Sequence, residues 1–368
     1  MPTPDPISIV ALDGEPLSIP LRQPFVIATG RIDTTRAVLV RATLEGAGGA
    51  RATGLGEAAA LPPVTREDQP QLLAEIAAAA PGLRGAVIAC GDVGAVIDRA
   101  PPLGRVARAG VEAAILDARA RLAGIPLHDL LGRSGEPRAT ELITDITLPI
   151  SDPERMSAGA QAHRRAGFDT FKVKVGRDWR ADLASLRAVA AAVPDARFRL
   201  DANAGFAARD ALALLDAALS DSLTIECFEQ PCAADDLLAM AEVAAHSPIP
   251  VVADESFRGA DDLARIIDTR AAQAVNLKLA KLGGPLAALE LARRARAAGL
   301  RLMAGAMVET RIGLLAMAHV VAALGGVDWV DLDTAFLLAD DPFDGGWTFE
   351  GPRLRLSGAA GLGGVTAR

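Results

Sequence analysis

Between residues 140 and 333 the chain repeats one unit: a short apolar, β-branched run followed by an Ala/Leu/Arg segment of helical spacing. The runs are "ELITDITL", "TFKVKV", "RFRLDA", "LTIECFE", "IPVVADE", "QAVNLKL", "LRLMAGA" and "VDWVDLD". Alternation of this kind makes parallel βαβ units, and eight such units close into a barrel of about 250 residues. Polar residues stand near the C-terminal ends of these runs: Lys174, Asp201, Glu229, Asp254, Lys278, then Asp331 and Asp333. From Lys174 to Lys278 the successive gaps are 27, 28, 25 and 24 residues, one unit each. C-terminal strand ends share the mouth of a (β/α)8 barrel. Residues distant in sequence are therefore predicted to meet there.

The first 132 residues read differently. "ISIVALDGEPLSIPL", "TRAVLVRATLEG" and "GLGEAA" alternate as strands, with Gly and Pro between them. "DQPQLLAEIAAAAPGL" and "VARAGVEAAILDARARLAGI" have helical spacing. A chain of 368 residues exceeds one ordinary core. The division expected is an α+β domain over 1–132, the barrel over 133–333, and a Gly- and Pro-rich tail over 334–368 packing back on the first domain.

Composition narrows the partners. A formal net charge of −8 argues against nucleic acid, which selects a basic footprint. Cys90, Cys227 and Cys232 lack CxxC spacing, and there are four histidines. Neither a disulfide framework nor a zinc site is expected. The N-terminus has no basic segment followed by an apolar one, and no apolar run reaches about 18 residues. A cytoplasmic chain without membrane contact is the expectation.

Asp201, Glu229 and Asp254 come from three consecutive strands. Three carboxylates at one mouth repel unless a positive group joins them, and Mg²⁺ suits such oxygen ligands. The bland reading makes each an N-cap of the following helix. Lys172 and Lys174, at i and i+2, point to one strand face. Close to each other and to a metal, one should lose its charge more readily and act as a base near neutral pH. Lys278, on the sixth strand, falls opposite Lys174. Two lysines facing each other across a bound substrate suit a 1,1-proton transfer, with Lys172 and the metal holding the developing negative charge. Lys281 reads as a surface lysine at a helix start.

"FKVKVG", "RLDAN", "FEQP", "ADES" and "NLKLAKLGG" occur in this order and spacing, with "GLGEAA" and "LLGRS" ahead of them. Together they resemble the muconate-lactonizing subgroup of the enolase superfamily, whose established pattern is a lysine or histidine base with Mg²⁺. The resemblance implies an α+β capping domain on a (β/α)7β modified TIM barrel. It implies one Mg²⁺ per subunit on Asp201, Glu229 and Asp254, acid/base roles for Lys174 and Lys278 beside Lys172, and a homo-oligomer.

Asp331-Leu332-Asp333 resembles the D-x-D with which dipeptide epimerases hold a substrate ammonium; the bland reading is a turn or helix cap. Thr147, Met307 and Val308 fall where those epimerases contact substrate. Ala-Glu epimerases carry an arginine in the loop matching "PFVIATGRID". Gly30 stands at that position here, with Arg31 beside it. Ile27, Gly30 and Met307 point to an apolar or mixed pocket. The expected activity is Mg²⁺-dependent epimerisation of L,L-dipeptides at the C-terminal residue. The alternatives are a muconate-type cycloisomerase, o-succinylbenzoate synthase or N-acylamino-acid racemase. A Schiff-base aldolase-type barrel or a non-catalytic metal-binding protein on an inherited fold stands further off.

Overall fold

A computed structural model describes residues 6–27, 30–62, 64–88 and 92–368, with the side chains of residues 25–27 left out. Cys90 lies outside the described residues.

Eight parallel strands pair in sequence order: Ile146–Leu148, Thr170–Lys174, Arg197–Asp201, Thr224–Glu229, Val251–Ala253, Ala274–Leu277, Arg301–Ala304 and Trp329–Val330. The curled sheet closes where Thr144 bridges Val330 and the Asp145 N–H donates to the Val330 carbonyl at 3.2 Å. Longer helices follow the first seven strands, from Pro153–Arg165 to Arg311–Ala323. The eighth runs into a 3-10 turn, Thr334–Leu337, which makes the barrel (β/α)7β. Several helices start on local signals; the Asp152 side chain accepts from the Arg155 N–H ahead of Pro153, and Asp236 caps Ala239 in the same way.

One predicted strand divides. "ELITDITL" is two elements, because only Ile146–Leu148 joins the barrel. Glu141–Ile143 pairs antiparallel with Arg353–Leu356 of the C-terminal tail.

Ahead of the barrel, Ile7–Leu17, Arg36–Glu45 and Arg51–Ala60 form an antiparallel sheet, with Val87–Ile88 at its edge. Helix Arg105–Ala123, buried from Ala109 to Ala120, lies on this sheet. The glycines of "GLGE" permit that contact. A β-carbon on Gly54 would stand 2.2 Å from the Ala114 carbonyl oxygen, and one on Gly56 2.0 Å from that of Gly110. The tail returns to the same helix, where Asp117 accepts from the Leu362 N–H at 2.7 Å and Arg121 donates to the Val365 carbonyl. Among the described residues no helix is long and apolar enough to cross a membrane.

Helix Arg311–Ala323 is buried along its whole length after Arg311, because strand Arg51–Ala60, helix Leu127–Leu131 and the tail all pack on it. It carries His319 against His128, rings stacked with centroids 5.1 Å apart. The His128 backbone N–H donates to His319 Nδ1 at 3.1 Å. An N–H can only donate, so Nδ1 is the unprotonated nitrogen and the ring proton sits on Nε2. Burial, with His128 beside it, pushes His319 down to about 3 from 6.5, and burial lowers His128 as well. Groups depressed on folding contribute stability above their unfolded pKa and lose it as pH falls toward the folded one. Acidification below about pH 6.5 should therefore cost stability progressively, on the order of 1 kcal/mol per pH unit through His319 alone. His319→Gln, which keeps an acceptor for the His128 N–H, should flatten this acid limb in denaturation measured from pH 7 to 4. Superimposable acid limbs would rule the pair out as its cause.

Candidate active site

Every strand-end residue singled out above reaches the barrel mouth. Lys172, Lys174, Asp201, Glu229, Asp254, Lys278, Asp331 and Asp333 are all buried. The helices after strands three, four and five have Ala207, Asp236 and Gly259 at their N-cap positions. Asp201, Glu229 and Asp254 are therefore not helix caps. Strand register places Lys174 beside Asp201 and Asp201 beside Glu229.

Each of these lysines is paired with a carboxylate in the mouth. Lys172 Nζ lies 2.6 Å from Asp331 Oδ2, 2.8 Å from Glu229 Oε2 and 3.0 Å from Asp201 Oδ2. Lys174 Nζ donates to Asp201 Oδ2 at 2.6 Å, and Lys278 Nζ to Asp254 Oδ2 at 2.8 Å. Asn276 donates to Glu229 Oε1 at 2.7 Å.

Burial works against the Lys172 ammonium, but Asp201, Asp331 and Glu229 outweigh it and hold its pKa well above the ordinary lysine value. Burial is likewise outweighed at Lys278, where Asp254 and Glu229 raise the pKa. The expected depression of a lysine pKa is thus not what the chain alone produces at these two positions. Ion pairing with the carboxylates dominates, and only a competing cation on those carboxylates would relieve it. Asp201 and Asp254 move below the usual carboxylate range because the lysines overcome the cost of burial.

Lys281 corrects the reading of a surface lysine. The short helix Leu279–Leu282 turns it back over the fifth strand end. It is buried, with Nζ on the Asp254 carbonyl oxygen at 2.6 Å and on Asp254 Oδ1. Burial, with Lys278 near, lowers its pKa.

Oxygen donors suited to a hard divalent cation are present. Glu229 Oε2 receives no well-directed hydrogen bond, and the side-chain oxygens of Asn203 and Asn276 are buried without a partner. Asp201, Glu229 and Asp254 with these neighbours fit Mg²⁺ in donor chemistry. Yet among the described residues the acidic oxygens lying within 4.8 Å of one another belong to Asp145, Asp331 and Asp333. The expected trio is instead drawn onto lysines: Asp201 onto Lys172 and Lys174, Glu229 onto Lys172, and Asp254 onto Lys278 and Lys281.

The Asp145–Asp331–Asp333 cluster forms a second, acidic pole. Asp331 meets Lys172; Asp145 accepts from Arg199 at 2.8 Å; Asp333 accepts from the Thr147 N–H at 2.6 Å. Burial and the neighbouring Asp331 push Asp333 up to about 7. Asp333 Oδ1 and Asp145 Oδ1 are buried without a partner. Such a pole favours a cationic group that can donate hydrogen bonds. Asp145, two residues before Thr147, escaped the sequence reading because nothing local shows that it meets strand eight.

A cavity at the mouth is lined by Thr147, Lys172, Lys174, Lys278, Asp331 and Asp333, with Met307 and Val308 beside Leu61 and Val64. Asn203 and Glu255 also line it and were not singled out in the sequence. Burial and the adjacent Asp254 push Glu255 up to about 8. Gly30 and Arg31 are not among the lining residues. Arg31 is exposed, with its guanidinium on Asp33 at 3.1 Å. Residues 28–29 and the Ile27 side chain lie outside the described residues.

Comparison with known proteins agrees with this architecture. The enolase C-terminal domain-like family model matches residues 155–366. The model for the N-terminal domain of mandelate racemase and muconate lactonizing enzymes matches residues 15–132. An aromatic dipeptide epimerase of Herpetosiphon aurantiacus is 38% identical over 97% of this chain and 99% of its own length. An L-Ala-D/L-Glu epimerase of Bacillus subtilis is 32% identical over 97% and 96%. The crystal structure of a dipeptide epimerase from Enterococcus faecalis, complexed with Mg and L-Leu-L-Tyr, superposes with a TM-score of 0.88 at 32% identity, covering 98% of this chain and 99% of that one. The chain belongs to the enolase superfamily, in the family of mandelate racemase and muconate lactonizing enzymes.

Proposed function

We propose that the protein is a magnesium-dependent dipeptide epimerase that inverts the Cα of the C-terminal residue by proton transfer between two lysines. The observation that carries this reading is the two-pole cavity. An acidic pole at Asp145, Asp331 and Asp333 suits an α-ammonium. Joined to Asp331 through Lys172, Asp201 and Glu229, with Asp254 on Lys278, suit a cation that takes the carboxylate. Similar proteins named as dipeptide epimerases, one of them solved with Mg and L-Leu-L-Tyr, support it.

In this reading Lys174 and Lys278 serve opposite faces of the Cα, one removing a proton and the other returning one through an enediolate. They arise from strands two and six of eight, so they approach from opposite sides. Lys172, tied to three carboxylates, stays protonated and donates to the oxygens on which charge develops. Mg²⁺, when bound at Asp201, Glu229 and Asp254, supplies Lewis-acid stabilisation of that charge. Met307, Val308, Leu61 and Val64 give the side-chain region an apolar wall, and Arg31 is engaged with Asp33. Apolar C-terminal residues are therefore the preferred substrates.

Mass spectrometry of pooled L,L-dipeptides in D₂O with Mg²⁺ tests the reading. One deuterium should enter at the C-terminal Cα of the accepted dipeptides. Incorporation only into N-acylamino acids, or into nothing, would overturn it. Asp333→Asn should raise KM for dipeptides about tenfold or more through loss of a charge-assisted contact of roughly 1.5–3 kcal/mol. Unchanged dipeptide kinetics would remove Asp333 from the ammonium site.

A further inference from the structure

Glu57 closes the "GLGE" segment on strand Arg51–Ala60, and the reaction as derived above makes no use of it. Its carboxylate is buried against the barrel. It accepts from the Thr310 N–H at 3.0 Å, the Thr310 hydroxyl at 2.5 Å and the Gly313 N–H at 3.1 Å. These donors belong to the first turn of helix Arg311–Ala323, whose opening N–H groups lack partners within the helix. A carboxylate there also meets the positive end of the helix dipole. The arrangement recurs one unit earlier, where Glu112, buried on helix Arg105–Ala123, accepts from the Leu286 N–H at 2.8 Å in the first turn of helix Pro285–Ala297. The first domain thus supplies carboxylates to two consecutive barrel helices at their N-termini.

The segment joining strand seven to helix Arg311–Ala323 carries Met307 and Val308, both nearly inaccessible and both lining the cavity. It is held from within as well. Glu309 accepts from the Met307 N–H at 2.9 Å, and the Glu309 N–H donates to the Thr334 hydroxyl, next to Asp333, at 3.3 Å. A β-carbon on Gly313 would lie 2.2 Å from Glu309 Oε2, so the missing side chain leaves room for that carboxylate. Glu57 anchors the far end of this short segment from another domain, 253 residues away in sequence.

We infer that Glu57 is a positioning residue: by docking the first domain onto the N-terminus of helix Arg311–Ala323, it sets where Met307 and Val308 stand and couples domain seating to substrate binding. The inference rests on the reading of Met307 and Val308 as substrate contacts.

Steady-state kinetics of Glu57→Gln, Thr310→Val and the double variant test it, below the unfolding midpoint of each. Gln keeps the shape but presents an amide to a site of donors. Thr310→Val removes the hydroxyl that donates to Glu57 and, with it, the side-chain oxygen that accepts from the Ile312 N–H at the helix start. Each single variant should raise KM for dipeptides about tenfold with kcat within about twofold. The double variant should raise KM by less than the product of the single effects, because the two share the contact between Glu57 and the Thr310 hydroxyl. A lowered unfolding midpoint with unchanged KM would mean a purely structural role and overturn the inference. If Glu57→Gln does not fold, an unchanged KM in Thr310→Val overturns it alone. Met307→Ala separates the two layers. A KM altered there but not in Glu57→Gln overturns the coupling. A KM unaltered in Met307→Ala overturns the binding role of the segment itself, and the coupling with it.

Discussion

Lys278→Ala and Lys174→Ala are each expected to lower kcat for epimerisation by about 10³-fold or more, the range of a lost general acid or base. The two variants should not fail alike. Each keeps one lysine, held at its own carboxylate: Lys174 on Asp201 at 2.6 Å, Lys278 on Asp254 at 2.8 Å. The lysine that remains can still exchange the proton on its own face. For an L,L-dipeptide, one variant should wash deuterium into the Cα without inversion while the other is silent; for the L,D-dipeptide the roles should swap. Proton NMR of the Cα–H signal in D₂O reads exchange and inversion together. Exchange lost for both diastereomers in both variants would argue against independent bases on two faces. Full activity in either variant would remove that lysine from the reaction.

Arg199→Met is expected to destabilise the fold by about 3–5 kcal/mol, the cost of stranding a buried charge without its partner. Arg199 is almost wholly buried and reaches three groups: Asp145 at 2.8 Å, Glu226 at 2.8 Å and the Val330 carbonyl at 2.8 Å. It therefore joins strand three to the seam where strands one and eight close the barrel. Without it, Asp145 would face Asp331 and Asp333 with Lys172 as the nearest cation. Asp145 is already pushed well up by burial and by Asp331. Adding Asp145→Asn to Arg199→Met should recover part of the loss, because a neutral amide needs no counter-charge. Urea denaturation of the single and double variants measures both effects. Equal stability of Arg199→Met and the unaltered protein, or no recovery in the double variant, would show that the pair does not hold the seam.

The range of each interaction separates what the sequence encodes at this site from what it does not. Lys172 and Lys174 share a face because a strand alternates every residue, and Asp201, Glu229 and Asp254 recur at strand ends because each βα unit has nearly one length. Those are local rules, so the parallel barrel, the residues at its mouth and the pairing of Asp331 with Asp333 just past strand eight are legible in the sequence. It also held the glycines of "GLGE", whose missing side chains let helix Arg105–Ala123 lie on the sheet.

Other features came only from closure and packing. Lys281 looked superficial until one helical turn folded it onto Asp254. "ELITDITL" divided because the tail, some 210 residues later, competes for its first half. Asp145 gained its meaning from Arg199 and strand eight, and Glu57 from Thr310. Arg31 remained on its own strand neighbour Asp33 instead of entering the cavity. In each case the deciding partner is distant in sequence or set by a loop conformation, and neither periodicity nor spacing encodes which buried charge will meet which. Sequence determined where the charged groups stand along the chain. Packing sets how they pair, because in a water-poor interior each must find a partner among the groups that closure of the barrel brings within reach.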